Sequence, residues 1–156
     1  MAAGATKTAS AGRRRLIRML RPTPPDEPDA LAIIDGSLCR MDRRGGVAKR
    51  HEPIGTAVVE FLALGNRLIV RERVFGFLPG FANLYCLDRA LHLLWIAELP
   101  PESDLFAGPL GTDGDSPVCA TIAGVVCRLN ASSGRILSRS TLAAGVSPPS
   151  YRAPAD

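Results

Sequence analysis

The chain has 156 residues, 46% hydrophobic, 22% charged and only 5% aromatic, which suits one soluble domain and excludes a disordered polymer or a surface built on aromatic stacking. Its net charge of +4 is unevenly spread: residues 1–25 hold six basic and no acidic residues, and the remainder holds 13 basic and 15 acidic, a net of −2. The basic character therefore belongs to the tail, and the body is expected to carry no nucleic-acid footprint.

Residues 1–29 read as a disordered basic and then Pro-rich lead-in, with two turns of helix at most over 13–20. Gly12-Arg13-Arg14-Arg15-Leu16-Ile17-Arg18 approaches a twin-arginine export motif, but Arg21-Pro22 interrupts the apolar run that should follow. A cytoplasmic location is expected, with export or organelle targeting as the alternative. No segment reaches the ~18 apolar residues needed to span a membrane.

From residue 30 the chain reads as strands joined by tight turns. Asp35-Gly36 between 31–34 and 37–41 suits a type I′ hairpin, and Gly65-Asn66 between 57–64 and 67–74 suits type II′. Strands follow at 83–87, 93–98, 105–110, 118–122, 125–129 and 135–142, with a weak one around 47–50. Placing the third hairpin turn at Ala123-Gly124 sets Ala120 opposite Cys127 and Cys119 opposite Arg128. Cys119 and Cys127 are then expected on opposite faces, not joined. Together with Cys39 and Cys86 they read as free, mostly buried thiols of a reducing compartment.

Three stretches repeat one pattern: Leu38-Cys39-Arg40-Met41-Asp42, Leu84-Tyr85-Cys86-Leu87-Asp88 and Val126-Cys127-Arg128-Leu129-Asn130. Their polar ends lie 46 and then 42 residues apart, the period of a four-stranded propeller blade. The last two run on into Leu93-Leu94-Trp95 and Ser133-Gly134-Arg135-Ile136-Leu137. Over residues 31–142 this resembles the quinoprotein-type (PQQ-like) β-propeller repeat, whose units read strand, Leu-Asp, Gly turn, strand ending in Trp. The resemblance implies an all-β, partial propeller-like array of antiparallel four-stranded blades with about eleven strands. It would occupy 30–145, between the 1–29 tail and a flexible 146–156 tail. Asp42, Asp88, Trp95, Asn130 and Gly134 fall on its structural positions: Trp95 is expected between neighbouring blades, and Asp42, Asp88 and Asn130 as turn-formers. Ser138 replaces the Trp in the last unit. Leu91 replaces the turn Gly, so that turn is expected to avoid a positive φ.

The family's dehydrogenases hold a quinone in a full ring with a metal and a vicinal disulfide. This chain has no adjacent Cys pair and no acidic metal constellation, so no cofactor and no metal are expected. Other members with this repeat are scaffolds that bind proteins through the propeller rim. Asp113-Gly114-Asp115 lacks the alternating ligands of a calcium loop and reads as a polar turn.

The odd segment is Val74-Phe75-Gly76-Phe77-Leu78-Pro79-Gly80-Phe81-Ala82, an insertion holding three of the five Phe residues. Phe75, Phe77, Leu78 and Phe81 are the candidate ligand- or partner-binding residues; the competing reading is a lid over an open end of the array. The expected function is a non-catalytic binding or scaffold module, meeting a protein partner or a second copy at exposed blade edges. The alternative is a small ligand-binding protein or hydrolase with a pocket beneath that loop and His51 or His92 as base. No motif assigns a catalytic residue.

Overall fold

The computed structural model describes residues 30–141; the expected tail at 1–29, the helical turns at 13–20 and the segment at 146–156 lie outside them. Eleven strands are present in this range: β1 (Leu31–Ile34), β2 (Ser37–Met41), β3 (Val47–His51), β4 (Val58–Leu64), β5 (Arg67–Glu72), β6 (Leu84–Asp88), β7 (Leu93–Ile96), β8 (Phe106–Asp113), β9 (Ser116–Thr121), β10 (Val125–Leu129) and β11 (Ile136–Thr141). They form three antiparallel meanders in chain order, β1-β2-β3, β4-β5-β6-β7 and β8-β9-β10-β11, here called blades 1, 2 and 3. The architecture is all-β and propeller-like, without a closed ring. Among the described residues no helix is long and apolar enough to cross a membrane.

Turn chemistry sets the hairpins. Asp35 (φ 49°) and Gly36 (φ 74°) are both left-handed, as type I′ requires, and Ile34 faces Ser37 across them. At Gly65-Asn66 only Gly65 is left-handed (φ 58°), the II′ pattern, with Leu64 facing Arg67. Gly114 (φ 59°) opens the same kind of turn between β8 and β9. β8 runs on to Asp113, past the expected end at 110, because that polar turn is only two residues long.

The third hairpin departs from expectation. Its loop has three residues, Ile122-Ala123-Gly124, closed by Gly124 N–H donating to Thr121 O at 3.0 Å, with Gly124 at φ 83°. A left-handed Gly ending a three-residue loop is a standard hairpin closure. The register moves by one relative to a two-residue turn, so Cys127 pairs with Cys119 and Val126 with Ala120. A one-residue slip flips every side chain, and the two thiols share a face.

Blade 2 is covered on both sides, and its strands show why. Alternate residues of β5 and β6 point to opposite faces: Leu68, Val70, Tyr85 and Leu87 pack with Leu38 and Val58 toward blade 1. Ile69, Leu84 and Cys86 pack with Phe106, Cys119, Cys127 and Leu129 toward blade 3. β6 is consequently buried from Leu84 through Leu87, a near-continuous apolar run of the kind expected of a strand covered on both faces. β5 stops at Glu72 rather than 74. The Asn83 side chain takes over there, donating to Glu72 O (2.7 Å) and Phe106 O (2.9 Å) and accepting from Phe106 N–H (2.8 Å).

Candidate functional site

The loop between β5 and β6 is built by two small turns. Phe77 N–H donates to Val74 O and Phe81 N–H to Leu78 O (3.3 and 3.4 Å), and Gly76 and Gly80 supply the left-handed residues (φ 79° and 81°). The loop is tied to the connector between blades 1 and 2: Thr56 Oγ1–H donates to Arg73 O at 2.7 Å, and Arg73 N–H to Ala57 O at 2.8 Å. Phe77 is buried against Gly55, where an added Cβ would lie 2.7 Å from its ring. The ground beneath the loop is therefore occupied by its own Phe77. Phe75, Leu78 and Phe81 remain 73%, 41% and 53% exposed. Of the four candidate residues, one anchors the loop and three face outward.

Beside the loop lies a buried polar cluster that sequence reasoning missed. The Glu72 carboxylate is wholly buried and accepts from the N–H groups of Ile54 (2.5 Å), Gly55 (2.9 Å) and Thr56 (2.7 Å) and from the Tyr85 hydroxyl (2.8 Å). Those donors replace the water that burial removes. His51 Nε2 lies 2.8 Å from the same hydroxyl. With the Tyr85 proton committed to Glu72, the phenol oxygen accepts from His51, which places an imidazole proton on Nε2. Burial, the bond to Glu72 and its charge drive the Tyr85 phenol well above its ordinary range. Burial holds His51 below the ordinary imidazole value, against the opposing pull of Glu72 and Glu52. The cluster draws on β3, β5, β6 and the 54–56 connector, and it fastens blade 1 to blade 2.

The repeat positions form three alike turns. Asp42 Oδ1 accepts from Arg44 and Gly46 N–H (2.8 and 2.9 Å), Asp88 Oδ1 from His92 N–H (2.9 Å), and Asn130 Oδ1 from Ser132 and Ser133 N–H (2.8 and 3.1 Å). The backbone N–H of His92 is the largest of the influences that hold the Asp88 carboxyl below its usual value. The left-handed position in these turns is taken by Gly45 (φ 81°), Leu91 (φ 64°) and Gly134 (φ 73°). Leu91 thus does adopt the positive φ it was expected to avoid, because its side chain is buried in the core between blades 1 and 2. Trp95 spans to the next blade: its Nε1–H donates to Ala131 O at 3.0 Å, and its ring lies so close to Gly134 that an added Cβ would collide with Cε3. Lys49 and Ser138 hold the equivalent places opposite Arg40 and Arg128. Lys49 Nζ reaches His92 Nε2 of the following turn at 3.2 Å.

Of the two histidines, His92 lies on the surface, with Nδ1 3.3 Å from Asp88 Oδ2, and His51 belongs to the buried cluster. The structure does not bring them together. Asp113 lies 3.5 Å from Arg128 Nε, and the 113–115 segment forms the two-residue turn already described. Among the described residues no group of three or more His, Cys, Asp and Glu side chains comes together as a metal site would need. A shallow open depression lies at the other end of β5, lined by Gly65, Asn66, Arg67, Asp88, Leu94 and Asp115 among others.

No protein-family model matches the chain. No curated protein matches it either. Among solved structures the chain is similar to BamB from Moraxella catarrhalis, with a TM-score of 0.49 and 18% identity, over 75% of this chain and 36% of that one. The chain thus spans about a third of the length of that structure.

Proposed function

We propose that this chain is a non-catalytic binding module of quinoprotein-type repeats, which meets a protein partner through the 74–82 loop and the unpaired edges of the terminal blades. The observation that carries the reading is the exposure of Phe75, Leu78 and Phe81 on a loop whose base is fixed by Phe77 and Ala82. Apolar side chains clustered at the surface on an ordered support mark an interaction site more often than a solvent-facing loop. The recurring Asp/Asn turns and the inter-blade Trp95 support the quinoprotein-type assignment. In the terminal blades β3 and β11 each have one strand partner among the described residues, so an extended partner segment can add main-chain hydrogen bonds there.

The test is capture of partners by the full chain, compared with the Phe75→Ser/Phe81→Ser variant. Both residues are more than half exposed, so the variant should keep the wild-type circular dichroism. The reading expects a protein retained by the wild type and lost by the variant. Equal retention would remove the loop as the contact surface. Light scattering of both proteins over a tenfold concentration range distinguishes a second copy from a different partner. A wild-type dimer that becomes monomeric in the variant identifies the second copy.

A further inference from the structure

We propose that Cys119 and Cys127 form a disulfide bond, closed by thiol–disulfide exchange with a small-molecule disulfide while the β9–β10 hairpin is folding. Register carries this inference. The two residues are direct partners in the antiparallel ladder, and such partners have Cα atoms about 4.5–5.5 Å apart. That separation falls inside the range of about 4.4–6.8 Å found for disulfides. Cys86 lies in the same core but on blade 2, where its ladder partners are Ile69 and Trp95. Cys39 belongs to blade 1. All four cysteines are free and buried in the structure, as expected from the sequence, and Cys119 and Cys127 are the one pair that faces across a ladder.

Timing follows from burial. In the folded protein Cys119 and Cys127 are 1% and 0% exposed. Burial also pushes the Cys119 thiol up to about 12 and raises that of Cys127, leaving almost no thiolate to attack. The proposal requires the β9–β10 pairing to form, at least transiently, before blade 3 docks on blade 2, while that face of the hairpin is open to solvent. The thiolate of one cysteine attacks a sulfur of the oxidised small molecule and expels one reduced thiol. The other cysteine, losing its proton to solvent, then attacks the mixed disulfide and expels the second. Two protein thiols are oxidised to one disulfide, and one small-molecule disulfide is reduced to two thiols.

The experiment refolds the full chain from denaturant with oxidised glutathione, blocks free thiols by alkylation, and weighs the tryptic peptides. Peptide 90–128 contains Cys119 and Cys127 and no other cysteine. The expected product is this peptide two hydrogens lighter and unalkylated, with Cys39 and Cys86 alkylated. Folded protein given the same reagent should instead show both Cys119 and Cys127 alkylated once it is unfolded and blocked. Alkylation of both after refolding, or a cross-link to Cys86, overturns the pairing. Oxidation of the folded protein at the refolding rate overturns the folding-stage step. Should refolding fail, expression in an oxidising cell compartment followed by the same mapping gives the same readout of the pairing.

Discussion

Leu91 is the residue whose two demands conflict most openly. Its backbone holds a left-handed φ of 64°, which costs a non-glycine residue about 1–2 kcal/mol, while its side chain is 5% exposed between blades 1 and 2. Burying a leucine is worth about 1.5–3 kcal/mol, so the packing term wins. Replacement should therefore reverse the usual order of alanine and glycine. Leu91→Ala keeps the strain and loses the packing, and should cost about 2–4 kcal/mol in urea unfolding; Leu91→Gly relieves the strain and should cost about 1 kcal/mol less. An alanine variant more stable than the glycine variant would show that the left-handed backbone carries no strain there.

The buried cluster yields a pH dependence with a definite sign. His51 titrates below its ordinary value of 6.5 in the folded state, so between the folded and unfolded values the unfolded chain binds more protons. The contribution is fully present above 6.5, and stability should fall as the pH drops below it. Denaturant midpoints taken downward from about pH 7 should decline more steeply for the wild type than for His51→Gln; parallel curves would exclude His51 as the cause. Tyr85→Phe removes the hydroxyl that joins His51 to Glu72 and should cost about 1–2 kcal/mol, leaving the three backbone donors on the carboxylate in place.

Between elements, Trp95 makes a close contact with the turn of blade 3. Gly134→Ala must push a Cβ against the indole and hold a φ of 73°, so it should cost at least about 2 kcal/mol. Gly65→Ala has a similar φ of 58° but open space around it and should cost about 1 kcal/mol. The difference between the two isolates the inter-blade contact. This level of organisation was also the most legible in the sequence. Asp35-Gly36 and Gly65-Asn66 declare their turn types locally, and the Leu-Cys-Arg-Met-Asp pattern with its echoes placed an inner strand of each sheet. What failed was Gly124: a glycine that ends a three-residue loop looks the same in sequence as one that ends a two-residue loop, and the error turned Cys119 away from Cys127. The 74–82 loop stood out by composition, though not the division between buried Phe77 and exposed Phe75, Leu78 and Phe81. That division depends on Gly55, a distant residue with no side chain to obstruct the ring. The Glu72–Tyr85–His51 cluster was illegible because its members come from three strands in two blades and meet only through packing.

For the molecule as a whole, stability should be graded from the centre outward. Blade 2 shares one core with blade 1 and another with blade 3, whereas the outer blades share one core each, so each sheet depends chiefly on its neighbour, as in a repeat array. β6 has strand partners on both sides and packed side chains on both faces. β11 has one strand partner and is exposed from Leu137 to Thr141. Native-state hydrogen exchange should therefore find the slowest amides in 68–70 and 84–87, opening only with global unfolding, and faster sub-global opening in β3 and β11. Leu38→Ala, which empties part of the core between blades 1 and 2, should lower protection in blade 1 by more than in β9 and β10. An equal fall in all three sheets would mean that the two cores unfold as one cooperative unit. The Glu72 and Trp95 joints would then couple the blades more strongly than nearest-neighbour packing does.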